Sequence, residues 1–477
     1  MPTAFSRVFI AALLAGSLHA SAQAPASFEP MALREDLQIA RQALEEGHSG
    51  IYRYTEKAIL DRRFDEAMRA LDRPMDALAF YRVLMPTVAA IRCGHTTPLL
   101  PLDAKADLLK TLLLPMDVKV LEGKVFIYRD FAQQGALAGR EIRTINGLSI
   151  TRLLAVCLAA APGDGDVPTG RAHWVSQRFK ELLFTLKGMQ GSFELELLDP
   201  HTRHRTTAKV LGRSLADLRQ ASERAFPQDQ HSKRFAEWSF LDEGRIARLK
   251  VFNFIDQEED EDGASLLKKA FEAIQAKGSK TLILDLRDNP GGEDDLGKRL
   301  FSHLVDKPFS YYDDLVLNRT SFTFAKYAEG LAPFPESAVK ARPDGRFSLL
   351  DHPNVGLQEP SQPIFQGRVL ILINGGCFST TSEFLTAAHD HGRATFIGEE
   401  SGGGYYGNTS GAQAVLTLPH TKVRLIVPLM TYYLSAKDAH AAARGVLPDH
   451  PVHPTIDEQL AGKDSAWELA LALARKP

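Results

Sequence analysis

Cysteine is scarce, with 3 in 477 residues, and tryptophan is equally so. A disulfide-stapled scaffold is therefore excluded, and the core must come from ordinary apolar burial. No excess of either charge sign is present: 56 lysines and arginines stand against 59 aspartates and glutamates, a formal charge of −3. Such a chain offers no field for nucleic acid or for an anionic membrane surface, and neither is expected as a partner. Beyond residue 24 no apolar run approaches the roughly 18 residues that read as a membrane span. Phosphate and metal motifs are missing as well. The run Ser401 to Gly404 has no following Lys-Ser/Thr, so it reads as a flexible cleft wall rather than a phosphate cradle. The acidic run Glu258 to Asp262 lacks calcium-loop spacing and reads as a solvated loop. No metal and no cofactor are expected.

What is there begins with a leader pattern. Arg7 precedes an apolar run from Val8 to Leu18, and small residues follow to Ala22-Gln23-Ala24, before Pro25. That order reads as a secretory signal over 1–24, which predicts an exported protein, periplasmic or secreted, with no membrane span. At about 100–200 residues per domain the remaining length predicts two to four domains.

From 25 to about 100, apolar residues recur at helical spacing (Leu33, Leu37, Ala40, Leu44, then Ala58, Leu60, Phe64, Ala67, Leu71). This predicts a small helical N-terminal domain, ending in the tight segment Ile91-Arg92-Cys93-Gly94-His95-Thr96. Between 110 and 212 the pattern turns to short strands, at Asp117 to Leu121, Lys124 to Tyr128 and Ser192 to Leu198, with a helix around Ile150 to Ala161. Leu137 to Gly147 reads as a strand ending in an Asn-Gly turn and resembles the corresponding piece of PDZ domains. From 235 to 477 strands (Ile246 to Phe252, Thr281 to Leu286, Val369 to Ile373, Ala394 to Ile397) alternate with helices, which argues a layered α/β domain. The aromatic- and proline-rich insertion at 308–366 is too long for a structureless loop and reads as a cap or substrate-facing element.

Two stretches of this last region carry chemistry. The apolar strand Val369 to Ile373 runs into Asn374-Gly375-Gly376-Cys377-Phe378-Ser379-Thr380-Thr381-Ser382-Glu383, a glycine turn followed by hydroxyls that open a helix. A helix start offers unpaired N–H groups and partial positive charge to a developing oxyanion. The local pattern by itself favours a plain N-cap at Ser379. The second stretch is the buried strand and turn Leu282 to Gly292, whose paired glycines let a backbone N–H approach a substrate.

Together these stretches resemble the tail-specific, C-terminal-processing serine proteases, including the tricorn-core and retinoid-binding-protein-like branches. The resemblance lies in Asp285-Leu286-Arg287-Asp288-Asn289-Pro290-Gly291-Gly292, in Gly392-Arg393-Ala394 running to Gly398-Glu399, and in Gly445-Val446-Leu447-Pro448-Asp449. It implies a layered αβ protease core of ββα-type repeats, an N-terminal helical domain, a small PDZ-like β-rich domain and a polypeptide substrate. The family spacing to Gly398 and the pattern Phe-Ser-x-x-x-Glu-Phe place the nucleophile at Ser379, leaving Thr380 and Ser382 as helix-start residues. The lysine used by one branch would fall at 404, which is glycine. The tricorn-like branch implies instead a histidine base, and Gly94-His95-Thr96 stands in its place; a serine hydroxyl needs such a neighbour. The oxyanion hole carries over to the backbone N–H groups of Gly291, Gly292 and Thr380. A third catalytic member has no clear match, Asp438 and His440 being the nearest options. Cys93 and Cys377 each stand two residues before the base and the nucleophile, so a disulfide between them is expected if those two meet. An inactive peptide- or lipid-binding protein on the same fold and a small-substrate esterase or amidase stand as alternatives.

Overall fold

A computed structural model describes residues 26–226, 234–256, 261–437 and 443–476. The leader pattern at 1–24 and the pair Asp438 and His440 lie outside the described residues.

The N-terminal part consists of helices Pro30–Gly47, Lys57–Ala70 and Ala77–Ala89. Their apolar stripes (Leu33, Leu37, Ala40 and Leu44; Leu60, Phe64 and Ala67) are buried, as period-3.6 spacing requires. Ala58, counted above in the second stripe, is exposed instead. After the third helix the chain makes a short turn and enters the strand Thr97–Leu99.

The middle part is an antiparallel sheet. Among the described residues its path runs Met116–Leu121, Lys124–Asp130, Glu141–Ile145, Ser192–Leu198 and Arg205–Leu211, with the short strand Leu148–Ser149 beside the third. Helices Ile150–Ala160 and Pro168–Lys187 accompany it, and the second of them was not foreseen from the sequence. The turn that joins them, 161–166, is buried almost throughout and reaches toward the N-terminal turn.

The third part holds two sheets. In the first, the described strands run in the order Ala236–Leu241, Ile246–Val251, Thr281–Asp285, Arg368–Ile373, Thr395–Gly398 and His450–Pro451. All its pairings are parallel except the first. Strands such as Thr281–Asp285 and Arg368–Ile373 are buried nearly throughout because helices cover both faces. Helices Gly263–Lys277, Asp294–Ser302, Thr380–Asp390 and Ser465–Ala474 supply that cover.

The second sheet changes the reading of the 308–366 insertion. Its strand Tyr312–Leu317 pairs antiparallel with Arg424–Leu434, and Phe347–Leu349 and Val339–Ala341 extend it outward. Tyr311, Tyr312, Leu315, Val316 and Leu317 are buried, so the segment is an integral sheet edge rather than a separate cap. Its aromatic residues face the core, which is why the stretch is rich in them. Thr97–Leu99 joins the same sheet through Arg424–Ile426, so the sheet holds the segment immediately after His95.

Candidate active site

The nucleophile candidate is placed by two turns at the C-terminal ends of adjacent parallel strands, where open α/β sheets present their ligand sites. After Thr281–Asp285, Asn289 shapes the first turn: its Nδ2 donates to Val251 O (3.1 Å) and its Oδ1 accepts from Gly291 N (2.9 Å). After Arg368–Ile373, Asn374 Oδ1 accepts from Gly376 N and from Asp288 N, both at 3.0 Å, while its Nδ2 donates to Asp288 Oδ1 at 2.9 Å. The two turns are thus tied to each other. At Asp285 burial favours the neutral acid, but Arg287, donating to it and also to Asp464, outweighs this and holds the carboxyl well below its usual range. That clamp fixes the base of the first turn.

Ser379 then sits at the mouth of the second turn with φ 55° and ψ −130°, just before helix Thr380–Asp390. A non-glycine residue held there costs on the order of 1–3 kcal/mol. Its side chain caps nothing in the helix. The Oγ lies instead 3.1 Å from His95 Nε2. Its hydroxyl neighbours are committed elsewhere: Thr380 Oγ1 donates to Gly292 O (2.8 Å) and Ser382 Oγ to Cys377 O (3.1 Å).

His95 comes from the N-terminal part, between the helix Ala77–Ala89 and the strand Thr97–Leu99. Thr55 Oγ1 holds the end of the third helix through Ala90 O (2.7 Å), and Thr97–Leu99 locks the downstream side into the second sheet. The imidazole stacks on Phe378 with ring centroids 4.5 Å apart and planes 25° apart. Gly94 permits this, since a Cβ there would stand 2.4 Å from the Phe378 ring. Burial pushes the His95 imidazole below its usual range, against a raising influence from Asp164, so the ring is neutral and able to accept a proton near pH 7. Its Nδ1 is enclosed and has no hydrogen-bond partner.

Of the expected oxyanion donors, Gly291 is a correction, because its N–H is already given to Asn289. The turn still lies directly against the nucleophile: a Cβ on Gly291 would be 2.7 Å from Ser379 Cβ and 2.9 Å from Thr380 N. The N–H groups of Gly292 and Thr380 remain as the candidate donors.

Residues 245–452 match the model of peptidase family S41. The chain carries an S41 peptidase domain. The match supports a serine-type peptidase of the tail-specific, carboxyl-terminal-processing kind. No curated protein matches the chain. Among solved structures, mature CPAF superposes with a TM-score of 0.64 at 13% identity, covering 94% of this chain and 97% of that one. CPAF complexed with lactacystin gives 0.62 at 13% identity over 94% and 98%. The photosystem II D1 C-terminal processing protease gives 0.43 at 16% identity over 91% and 98%. At such identity the likeness to CPAF concerns the fold, and it extends over all three parts of the chain.

The S41 domain's glycine run is also unlike the sequence expectation. Residues 401–405 are buried, with Gly402 N donating to Cys377 O (2.7 Å) and Ser401 N to Val446 O (3.0 Å). It is a tethered strap, not a flexible wall. Arg444 donates twice to Glu400 (2.8 and 2.6 Å), and the start of the Gly445 to Asp449 motif holds the strap as well, Gly445 N donating to Glu400 Oε1 (3.0 Å) and Val446 N to Ser401 Oγ (2.9 Å). At position 404 a side chain would begin 2.5 Å from Tyr54 Oη, leaving no room for the lysine of the other branch.

The expected disulfide is not formed: Cys93, Cys157 and Cys377 are all free and buried. Cys93 Sγ turns to Thr409 O (3.4 Å) and Cys377 Sγ to Leu286 O (3.1 Å). The meeting of base and nucleophile does not carry the thiols with it, because each is drawn into a different sheet. The one described cluster close enough for a metal ion is Cys93, His95 and Asp164, whose ligand atoms lie within 4.8 Å of one another. Its donor set does not fit that use. Burial pushes the Cys93 thiol up to about 12, and both Asp164 oxygens already accept backbone N–H groups. Asp164 itself went unnoticed in the sequence. Gly163-Asp164-Gly165 reads as an ordinary turn, and only burial to 2% exposure marks it out.

Proposed function

We propose that the protein is an exported endopeptidase that cleaves polypeptides through an acyl-enzyme on Ser379, with His95 as general base. The observation that carries this is the 3.1 Å contact between His95 Nε2 and Ser379 Oγ, at a strained helix start inside an S41 domain. Neutral His95 takes the hydroxyl proton as Oγ attacks the scissile carbonyl. The developing oxyanion is received by the N–H groups of Gly292 and Thr380, preorganised by the cross-tied turns and the helix terminus. His95 then protonates the leaving amine, and a water activated by the same ring releases the acyl group.

Export rests on the leader pattern at 1–24. No helix of the described residues is long and apolar enough to cross a membrane. The middle sheet, read as PDZ-like, would take an unfolded segment as an added strand and deliver it to the cleft. Lactacystin, which is found complexed with mature CPAF, is a compound to try as a probe here.

The test is labelling of the mature protein with a fluorophosphonate, followed by peptide mapping. Label is expected on Ser379, absent in Ser379→Ala and at least about 100-fold slower in His95→Ala. Labelling at another serine, or undiminished in His95→Ala, would discard this mechanism. Peptide and ester panels, run side by side, separate a peptidase from the esterase or amidase alternative.

A further inference from the structure

The serine–histidine pair leaves the far side of the imidazole unexplained. His95 Nδ1 is enclosed without a partner, an expensive state for a polar nitrogen that must become an N–H donor once the ring is protonated. The titratable groups close to the ring are few. His48 is buried and neutral on one side, its imidazole pushed down to about 3 by burial, and Cys93 carries a thiol that stays protonated. Asp164 brings a carboxylate within 4.8 Å of a His95 ring nitrogen and the Cys93 sulfur. Tyr54 stands behind Asp164, with burial pushing its phenol well above the usual range, so it is neutral as well. Asp164 is the one anion in this group.

It is also built in place. Asp164 Oδ1 accepts from Gly94 N at 2.7 Å, and Oδ2 accepts from Gly404 N at 3.1 Å. These donors come from the turn that carries the base and from the strap over the nucleophile. The turn is held in addition by Gly165 N donating to Arg92 O (3.0 Å) and Asp166 N to Ala443 O (2.6 Å). Two hydrogen bonds accepted from backbone N–H groups leave a carboxylate with further lone pairs to accept from an imidazolium.

We propose that Asp164 is the positioning carboxylate of this site, which orients the His95 ring and stabilises its protonated form through Nδ1. The proposal rests on His95 being the base. Catalysis then needs all three parts of the chain: His95 from the N-terminal part, Asp164 from the middle part and Ser379 from the S41 domain. The middle part, beyond holding substrate, completes the site.

The experiment separates this idea from the peptidase mechanism itself. In folded Ser379→Ala protein, where no turnover occurs, the His95 imidazole is titrated by histidine side-chain NMR with and without Asp164→Asn. Removing the carboxylate is expected to lower the imidazole pKa by roughly half a unit or more, since a nearby anion favours the charged ring. On the Ser379 background, Asp164→Asn is expected to lower kcat by about 100-fold or more while KM changes little. Should Asp164→Asn fail to fold, the carboxyl carbon of Asp164 in the Ser379→Ala protein gives the same answer, by an inflection at the pKa of His95. An unmoved His95 titration, a missing inflection, or an effect produced by Asp438→Asn and not by Asp164→Asn overturns the assignment. Loss of the Ser379 label, by contrast, would sink the mechanism whatever the titration shows.

Discussion

Replacing Gly94 by alanine tests whether the base is held by stacking on the residue before the nucleophile. Gly94 is not in the left-handed region, so alanine meets no backbone strain there. Its only cost is steric: the new Cβ would lie 2.4 and 2.6 Å from two Phe378 ring atoms, and 3.4 Å from Asp164 Oδ1. Ordinary carbon contacts begin at about 3.5 Å, so the ring or the His95 turn must retreat by about 1 Å. Phe378 is bonded to Ser379 and stacks on His95, so either retreat opens the 3.1 Å catalytic contact. Overpacking of this kind costs about 1–3 kcal/mol of stability, and a misplacement of about 1 Å costs about 100-fold in rate. The assay is the second-order rate of fluorophosphonate labelling together with thermal unfolding. Gly94→Ala is expected to be slower by about that factor and less stable, while Gly94→Ala/Phe378→Leu recovers stability but not the full rate. Wild-type labelling and unfolding in the single variant would refute the reasoning.

The backbone at Ser379 predicts that Ser379→Gly unfolds at higher denaturant than Ser379→Ala, by about 1 kcal/mol, although both are inactive; equal stabilities would mean that φ 55° carries no strain. Glu383, buried to 2% exposure, has its carboxyl pushed up to about 7 by burial, against hydrogen bonds donated by Tyr312 and Asn408. The folded state then holds a proton that the unfolded state releases from about pH 4.5, so this contribution is full below that pH and lost as pH rises through about 7. The denaturant midpoint should fall between pH 5 and 8 in the native protein and be flatter in Glu383→Gln; identical slopes would count against a protonated Glu383. Finally, peptide mapping under non-reducing conditions should find all three cysteines free, slow toward thiol reagents when folded and reactive once unfolded; a Cys93–Cys377 bridge would contradict the placement of both thiols.

Much of the S41 domain was legible in one dimension because its signals are local. The strand cores at 282–284 and 369–373 are unbroken apolar runs, and the turns after them need asparagine and glycine at fixed positions. Ser379 was legible for the same reason, as a hydroxyl at a helix start with a definite spacing to Gly398. The insertion misled because aromatic and proline residues suit an edge strand and a cap equally; pairing with Arg424–Leu434, more than a hundred residues away, decides between them. The glycine strap misled in the opposite sense, since glycine permits both mobility and close packing.

The sequence by itself determined the class of fold and singled out Ser379 as the candidate nucleophile and Gly404 where a lysine would stand, all of which depend on residues near one another in the chain. Only the tertiary structure decided that the Cys93 and Cys377 thiols part, that Gly291 is occupied by Asn289, and that Asp164 stands behind His95. These are matters of which way a side chain or an N–H group points, and that direction is fixed by packing between segments far apart in sequence.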